Sequence, residues 1–159
     1  MASLTLGDLT INPEGLDRET LLAGWAWAME QPMLPVLLTA MGDVFAQGES
    51  GAVYFIDATA GTITKIAEDG ATFQQLLGDV EFVTGTMHPS RIVELRDAGV
   101  PLGQHEVYSH KHPMVLGGSD ELDNYETCHV TVHVGMLGQI HEQVKDLPPG
   151  TPISDISFE

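Results

Sequence analysis

Cysteine is nearly absent: Cys128 stands alone in 159 residues. No internal disulfide can form, which excludes the small scaffolds that rely on such bridges. Cations are scarce as well. Arg18, Lys65, Arg91, Arg96, Lys111 and Lys145 are the whole set, scattered along the chain against 23 Asp and Glu, for a formal net charge of −17. Neutralising phosphates takes clustered Lys and Arg. Direct partnership with DNA, RNA or an anionic membrane is therefore set aside. No apolar run approaches the ~20 residues of a membrane span. The start, "MASLTLGDLTINPEG", lacks the basic-then-apolar order of a signal peptide. A soluble cytoplasmic protein is expected. Internal repeats, low-complexity tracts and linkers are also missing, which leaves one domain.

What is present is globular. Apolar residues make up 43%, with 17 Gly and 9 Pro to supply turns. A chain of this size buries roughly two-thirds of its unfolded surface and needs no metal to fold. Apolar spacing predicts a helix over about 18–30, capped by Asp17, with Leu21, Leu22, Trp25 and Met29 inward and both tryptophans as core anchors. "LTLGDLTIN" reads as a short strand or hairpin around Gly7-Asp8. A meander follows: strands over 35–47, 52–57 and 62–67, joined by short Gly turns. Asp69 caps a helix ending at Gly78, and Pro89 opens another that Gly99 and Pro101 close. Residues 106–110 form a strand, 111–124 a loop and 125–134 a long strand. A last helix over 137–147 points Leu137, Ile140, Val144 and Leu147 inward. Grouped strands argue for an α+β fold, a mostly antiparallel sheet with helices packed on it. The expected layout is an N-terminal extension 1–16, a single domain 17–153 and a tail 154–159.

Seven histidines invite a search for a metal or catalytic centre. On a strand, His129 and His133 share one face with Thr131, and Val130, Val132 and Val134 share the other, the core side. Four strand residues set the two histidines ~13 Å apart, too far for one ion at ligand distances of ~2 Å. His110 and His112 would be ~7 Å apart and would need a third ligand, His105 or His129. "HEQVK" begins like a zinc-protease helix, but Lys145 stands where the second His belongs. His141 and Glu142 then read as surface residues. "GESGA" has Ala52 where a nucleophile elbow needs Gly, so it reads as a hairpin turn. Cys128 reads as an inert buried thiol. "GGSDELDN" does not match the oxygen spacing of a calcium loop and reads as a recognition loop.

Three stretches, "GAVYFIDATAGTITKI", "HPMVLGGSDELDNYE" and "VHVGMLGQIHEQVKDLPPGTPI", together resemble one bacterial family, the C-terminal domain of type VI secretion DNase-immunity proteins. The resemblance spans roughly residues 20–153. It runs through Pro113, Leu116, Gly117 and Gly118, then Asn124, then Leu137, Gly138 and Gln139, and closes on Leu147, Pro148 and Gly150. Larger members carry an additional N-terminal domain, whereas only a short segment precedes the first predicted helix here, so a stand-alone module with a different partner, or an orphan, is expected.

The resemblance implies an immunity, antitoxin-like protein that binds and neutralises a toxin without catalysis of its own. No metal or cofactor is then expected. The acidity points to a cationic toxin encoded nearby, such as a basic secreted nuclease, because complementary fields speed encounter. Leu116, Gly117, Gly118, Asp120, Glu121, Asp123 and Asn124 are the expected contact residues. The alternatives are a small metal-dependent hydrolase using His105, His110 and His112, or a generic ligand-binding or structural module.

Overall fold

Consecutive apolar residues such as Val44, Phe45 and Ala46 need cover on both faces of a strand. The computed structural model, which describes residues 4–148, provides it. A five-stranded antiparallel meander runs β1 (Thr10–Ile11), β2 (Met33–Thr39), β3 (Val44–Gly48), β4 (Val53–Asp57) and β5 (Thr62–Ala67), each paired with the next. One face packs Val44, Ala46 and Ile56 with Trp25, Val130, Val134, Leu137 and Ile140. The other packs Phe45 and Val53 with Phe73, Met87, Ile92 and Leu95.

The helices that cover this second face start from local signals. Asp69 Oδ1 accepts from the Thr72 N–H at 2.8 Å and opens α2 (Gly70–Leu76), after a four-residue helix α1 (Leu6–Leu9) at the start. Asp79 Oδ1 accepts from the Glu81 N–H at 2.9 Å and opens α3 (Val80–Met87). His88, at φ 52°, turns the chain into α4 (Pro89–Asp97), with Pro89 in its first turn. A two-stranded sheet, β6 (Glu106–His110) and β7 (Tyr125–His129), joins the meander where the Tyr108 N–H donates to the Ala40 carbonyl at 2.8 Å. α5 (Val130–Val144) closes the first face.

The α+β class stands, and several elements differ from expectation. Residues 23–28 form a 3-10 helix, Ala23–Ala28, inside a run of turns rather than a regular helix. Its Gly24 sits against Gly135, where a Cβ would meet the Gly135 carbonyl at 2.8 Å. Trp25 is buried all the same, and Trp27 half-buried. The 35–47 strand is two strands, because Gly42 at φ 86° reverses the chain. Residues 6–9 are helical where a strand was expected, and α3 had no predicted counterpart.

The largest correction is at 125–134. The strand stops at His129, whose Nδ1 accepts from the Thr131 N–H at 3.2 Å and caps α5. A helix, not a strand, then carries Val130 to Val144. Val132 is consequently 57% exposed, while His133 is buried with Val130 and Val134. The ~13 Å strand spacing of His129 and His133 does not apply. His141 is buried rather than superficial, and Leu147 lies exposed beyond the helix. Gly150 and the tail 154–159 lie outside the described residues.

Candidate functional site

A cleft of about 490 Å³ opens between the meander turns, α4 and the β6–β7 pair. Its walls mix apolar and polar groups. Asp43, Asp57 and His133 line it together with Arg91, His110, Asp120 and Tyr125.

Each group is held by its own element. Asp43 ends the β2–β3 turn. The Thr39 hydroxyl accepts its N–H at 3.0 Å, and its Oδ1 accepts from the Ala58 N–H at 2.9 Å. His133 projects from α5. Its Nε2 lies 3.1 Å from the Gly42 carbonyl, which can only accept, so the proton sits there. Nδ1 then accepts from the Ser109 hydroxyl at 2.8 Å. Burial pulls the His133 pKa down to about 4, so the ring is neutral at pH 7.

Asp120 is the hub of the opposite wall. Tyr125 donates its phenol to Asp120 Oδ1, His110 Nε2 lies 3.0 Å from the same oxygen, and Arg91 reaches Oδ2 at 3.3 Å. Burial raises Asp120, but the bonds from Tyr125 and His110 and the charge of Arg91 outweigh it and leave the carboxyl below its usual range. Burial, then the Asp120 carboxylate, pushes the Tyr125 phenol well above its usual value. The Arg91 guanidinium also lies 5.5 Å from the Tyr125 ring centre. These contacts order the wall.

Of the site candidates weighed in the sequence, Asp120, His110 and His133 line the cleft. Asn124 pins the loop. Its Oδ1 accepts from the His112 N–H at 3.0 Å, and its amide donates to the His112 and Ser119 carbonyls at 3.0 and 2.6 Å. Gly117, at φ 101°, adopts a left-handed turn. A Cβ on Gly118 would stand 1.8 Å from the His112 carbonyl oxygen, so no side chain fits. Leu116 is half-buried against the core, and Glu121 and Asp123 point to solvent. The motif residues thus build the loop, and its two outer carboxylates are presented by it.

The histidine triplet does not converge. His105 lies 2.6 Å from the Glu14 carbonyl, His110 bonds Asp120, and His112 lies 3.0 Å from the Leu116 carbonyl. Among the described residues no group of three or more His, Cys, Asp or Glu is placed to hold a metal ion. Cys128 is half-buried, and burial raises its thiol. Sequence reasoning missed Asp43, Asp57, Arg91 and Tyr125, and it weighed His133 only as a strand partner of His129. Asp57-Ala-Thr-Ala-Gly61 showed only a turn, and nothing in the sequence placed Asp43 beside it.

Among the described residues no helix is long and apolar enough to cross a membrane. Residues 67–141, just under half of the chain, match the family described as T6SS immunity protein Tdi1, C-terminal. The matched stretch supplies Arg91, His110, Asp120, Tyr125 and His133 of the cleft, while Asp43 and Asp57 come from the meander before it. The chain is also similar to the crystal structure of Atu4351 from Agrobacterium tumefaciens, with a TM-score of 0.61 and 17% identity. That likeness covers 82% of this chain and 65% of the other, and at this identity it concerns the fold. No curated protein matches the chain.

Proposed function

We propose that this protein is an immunity protein that binds a partner toxin and neutralises it by occupying it, without chemistry of its own. The observation that carries this reading is the family match over residues 67–141. The acidity supports the finer reading, a cationic toxin such as a basic secreted nuclease encoded nearby. A net charge of −17 favours encounter with a basic surface. The exposed Glu121 and Asp123, on a loop held by Asn124, Gly117 and Gly118, offer it a fixed acidic contact. The hydrolase alternative gains nothing from His105, His110 and His112, which each have a separate partner.

The test is co-expression with the toxin gene beside it. A 1:1 complex on gel filtration, with rescue of growth, is expected. A toxin that remains free and lethal beside abundant folded protein overturns the reading.

A further inference from the structure

The cleft holds a carboxylate that the fold leaves half-used. Asp43 is 5% exposed, and the Ala58 N–H engages its Oδ1. Among the described residues no group donates to its Oδ2, and that oxygen is not sealed from solvent, so it opens into the cleft that Asp43 lines. Asp57 lines the same cleft. Its Oδ1 accepts from the Ala60 N–H at 3.0 Å, and its charge is felt by Asp43. Burial, then Asp57, holds Asp43 well above the usual carboxylate range.

A buried carboxylate lacking a full set of donors costs stability. Among the described residues nothing offsets that cost at Oδ2. Such groups gather where a ligand supplies the missing partner.

The lining indicates the ligand's charge. Asp43, Asp57, Glu94 and Asp120 face one guanidinium, Arg91, which already contacts Asp120 and Glu94. An anion is therefore disfavoured. A hard divalent cation wants six or more oxygens, and the described residues show no such cluster. A basic side chain fits better. Its N–H groups supply donors to carboxylates, and its aliphatic stem can lie on the apolar atoms of Met41, Met114 and Tyr125, which line the cleft.

We propose that the cleft receives one Arg or Lys side chain of the partner toxin, with the Asp43 Oδ2 and the Asp57 carboxylate as its acceptors. This rests on the immunity reading and adds the site and the recognised chemistry.

The test uses the full chain and its Asp43→Asn and Asp57→Asn variants against a catalytically inactive form of the neighbouring toxin. N-acetyl-arginine amide serves as a separate small probe. Removing one partner of a buried charge pair weakens binding, so each variant is expected to lose at least about tenfold in toxin affinity. Asp43→Asn should do so with an unchanged or higher Tm, because it removes an underused buried charge, which separates lost recognition from lost folding. The arginine probe should shift the backbone NMR signals of Asp43, Ala58 and Ala60, and N-acetyl-glutamate amide should not. Wild-type affinity in both folded variants overturns the proposal and leaves the immunity reading standing. A wild-type protein that ignores the toxin overturns the immunity reading itself. An arginine probe and its counterpart N-acetyl-lysine amide that both shift nothing overturn the cleft chemistry whatever the toxin does.

Discussion

Gly138 of α5 lies against Gly24 of the 3-10 helix so closely that a Cβ on Gly138 would stand 2.5 Å from the Gly24 carbonyl oxygen. The same Cβ would lie 2.9 Å from the Trp25 ring. Gly135, one turn earlier in α5, would place its own Cβ in open space. Two glycines three residues apart should therefore respond oppositely to alanine. Gly138→Ala is expected to lose about 1–3 kcal/mol through overpacking. Gly135→Ala is expected to gain roughly 0.5–1 kcal/mol from helix propensity. Chemical unfolding of both variants decides it, and equal effects would show that the helices do not meet through these backbones.

The same contact seats Trp25. Its Nε1 donates to the Val134 carbonyl at 2.9 Å, and its ring stacks on Trp27 with centroids 6.0 Å apart. The indole is fully buried. Trp25→Ala should cost ~3–5 kcal/mol, a large share of a typical total of ~5–15 kcal/mol. A thermal melt unchanged by this substitution would contradict the packing of α5 on the 3-10 helix.

His133 sets the response to acid. Its folded pKa, near 4, lies below the unfolded value of 6.5. The unfolded chain therefore takes up a proton first as pH falls. The stability associated with a neutral His133 is complete above pH 6.5 and is lost as pH falls towards about 4. That window is worth up to about 3 kcal/mol. His141, lowered by burial, acts in the same direction. Urea unfolding at pH 7.5, 5.5 and 4.5 should show the decline, and His133→Gln should flatten it. An identical slope in the variant would place the acid sensitivity elsewhere.

The sequence disclosed the sheet more readily than the site, and α5 shows why. Val-Thr-Val-His-Val is β-branched and alternates, which suits a strand. The competing helical spacing of Val130, Val134, Leu137 and His141 was equally present. The deciding factor was a cap, and His129 is not among the usual capping residues. Once the segment is helical, His133 and His141 turn inward, and a surface reading of either fails. The caps at Asp69 and the stop at Gly99 were legible because they act within one turn. Asp43 and Asp57 were not, because 14 positions and two strands separate them. Their meeting follows from the β3–β4 pairing of Val44 with Ile56, which no local pattern encodes.

The acidic loop gives the last prediction, because the structure divides its carboxylates into two kinds. Asp120 is bound by Tyr125, His110 and Arg91, so Asp120→Asn should loosen the cleft wall and lower Tm. Its folded pKa is lowered, so its contribution is present above the unfolded value and fades as pH falls through the folded one. Glu121 and Asp123 are exposed and should matter little to folding. On the proposed reading their role is electrostatic, the attraction of a basic toxin from beyond contact over a screening length of only ~8 Å at physiological salt. Glu121→Gln with Asp123→Asn should therefore leave Tm unchanged, slow association with the toxin and barely alter dissociation. Raising the salt should erase the difference between double variant and wild type. Stopped-flow or surface-plasmon kinetics at low and high ionic strength measure both rates. If the double variant associates at the wild-type rate in low salt, the loop is not the surface the toxin meets first, and the encounter belongs to another acidic face.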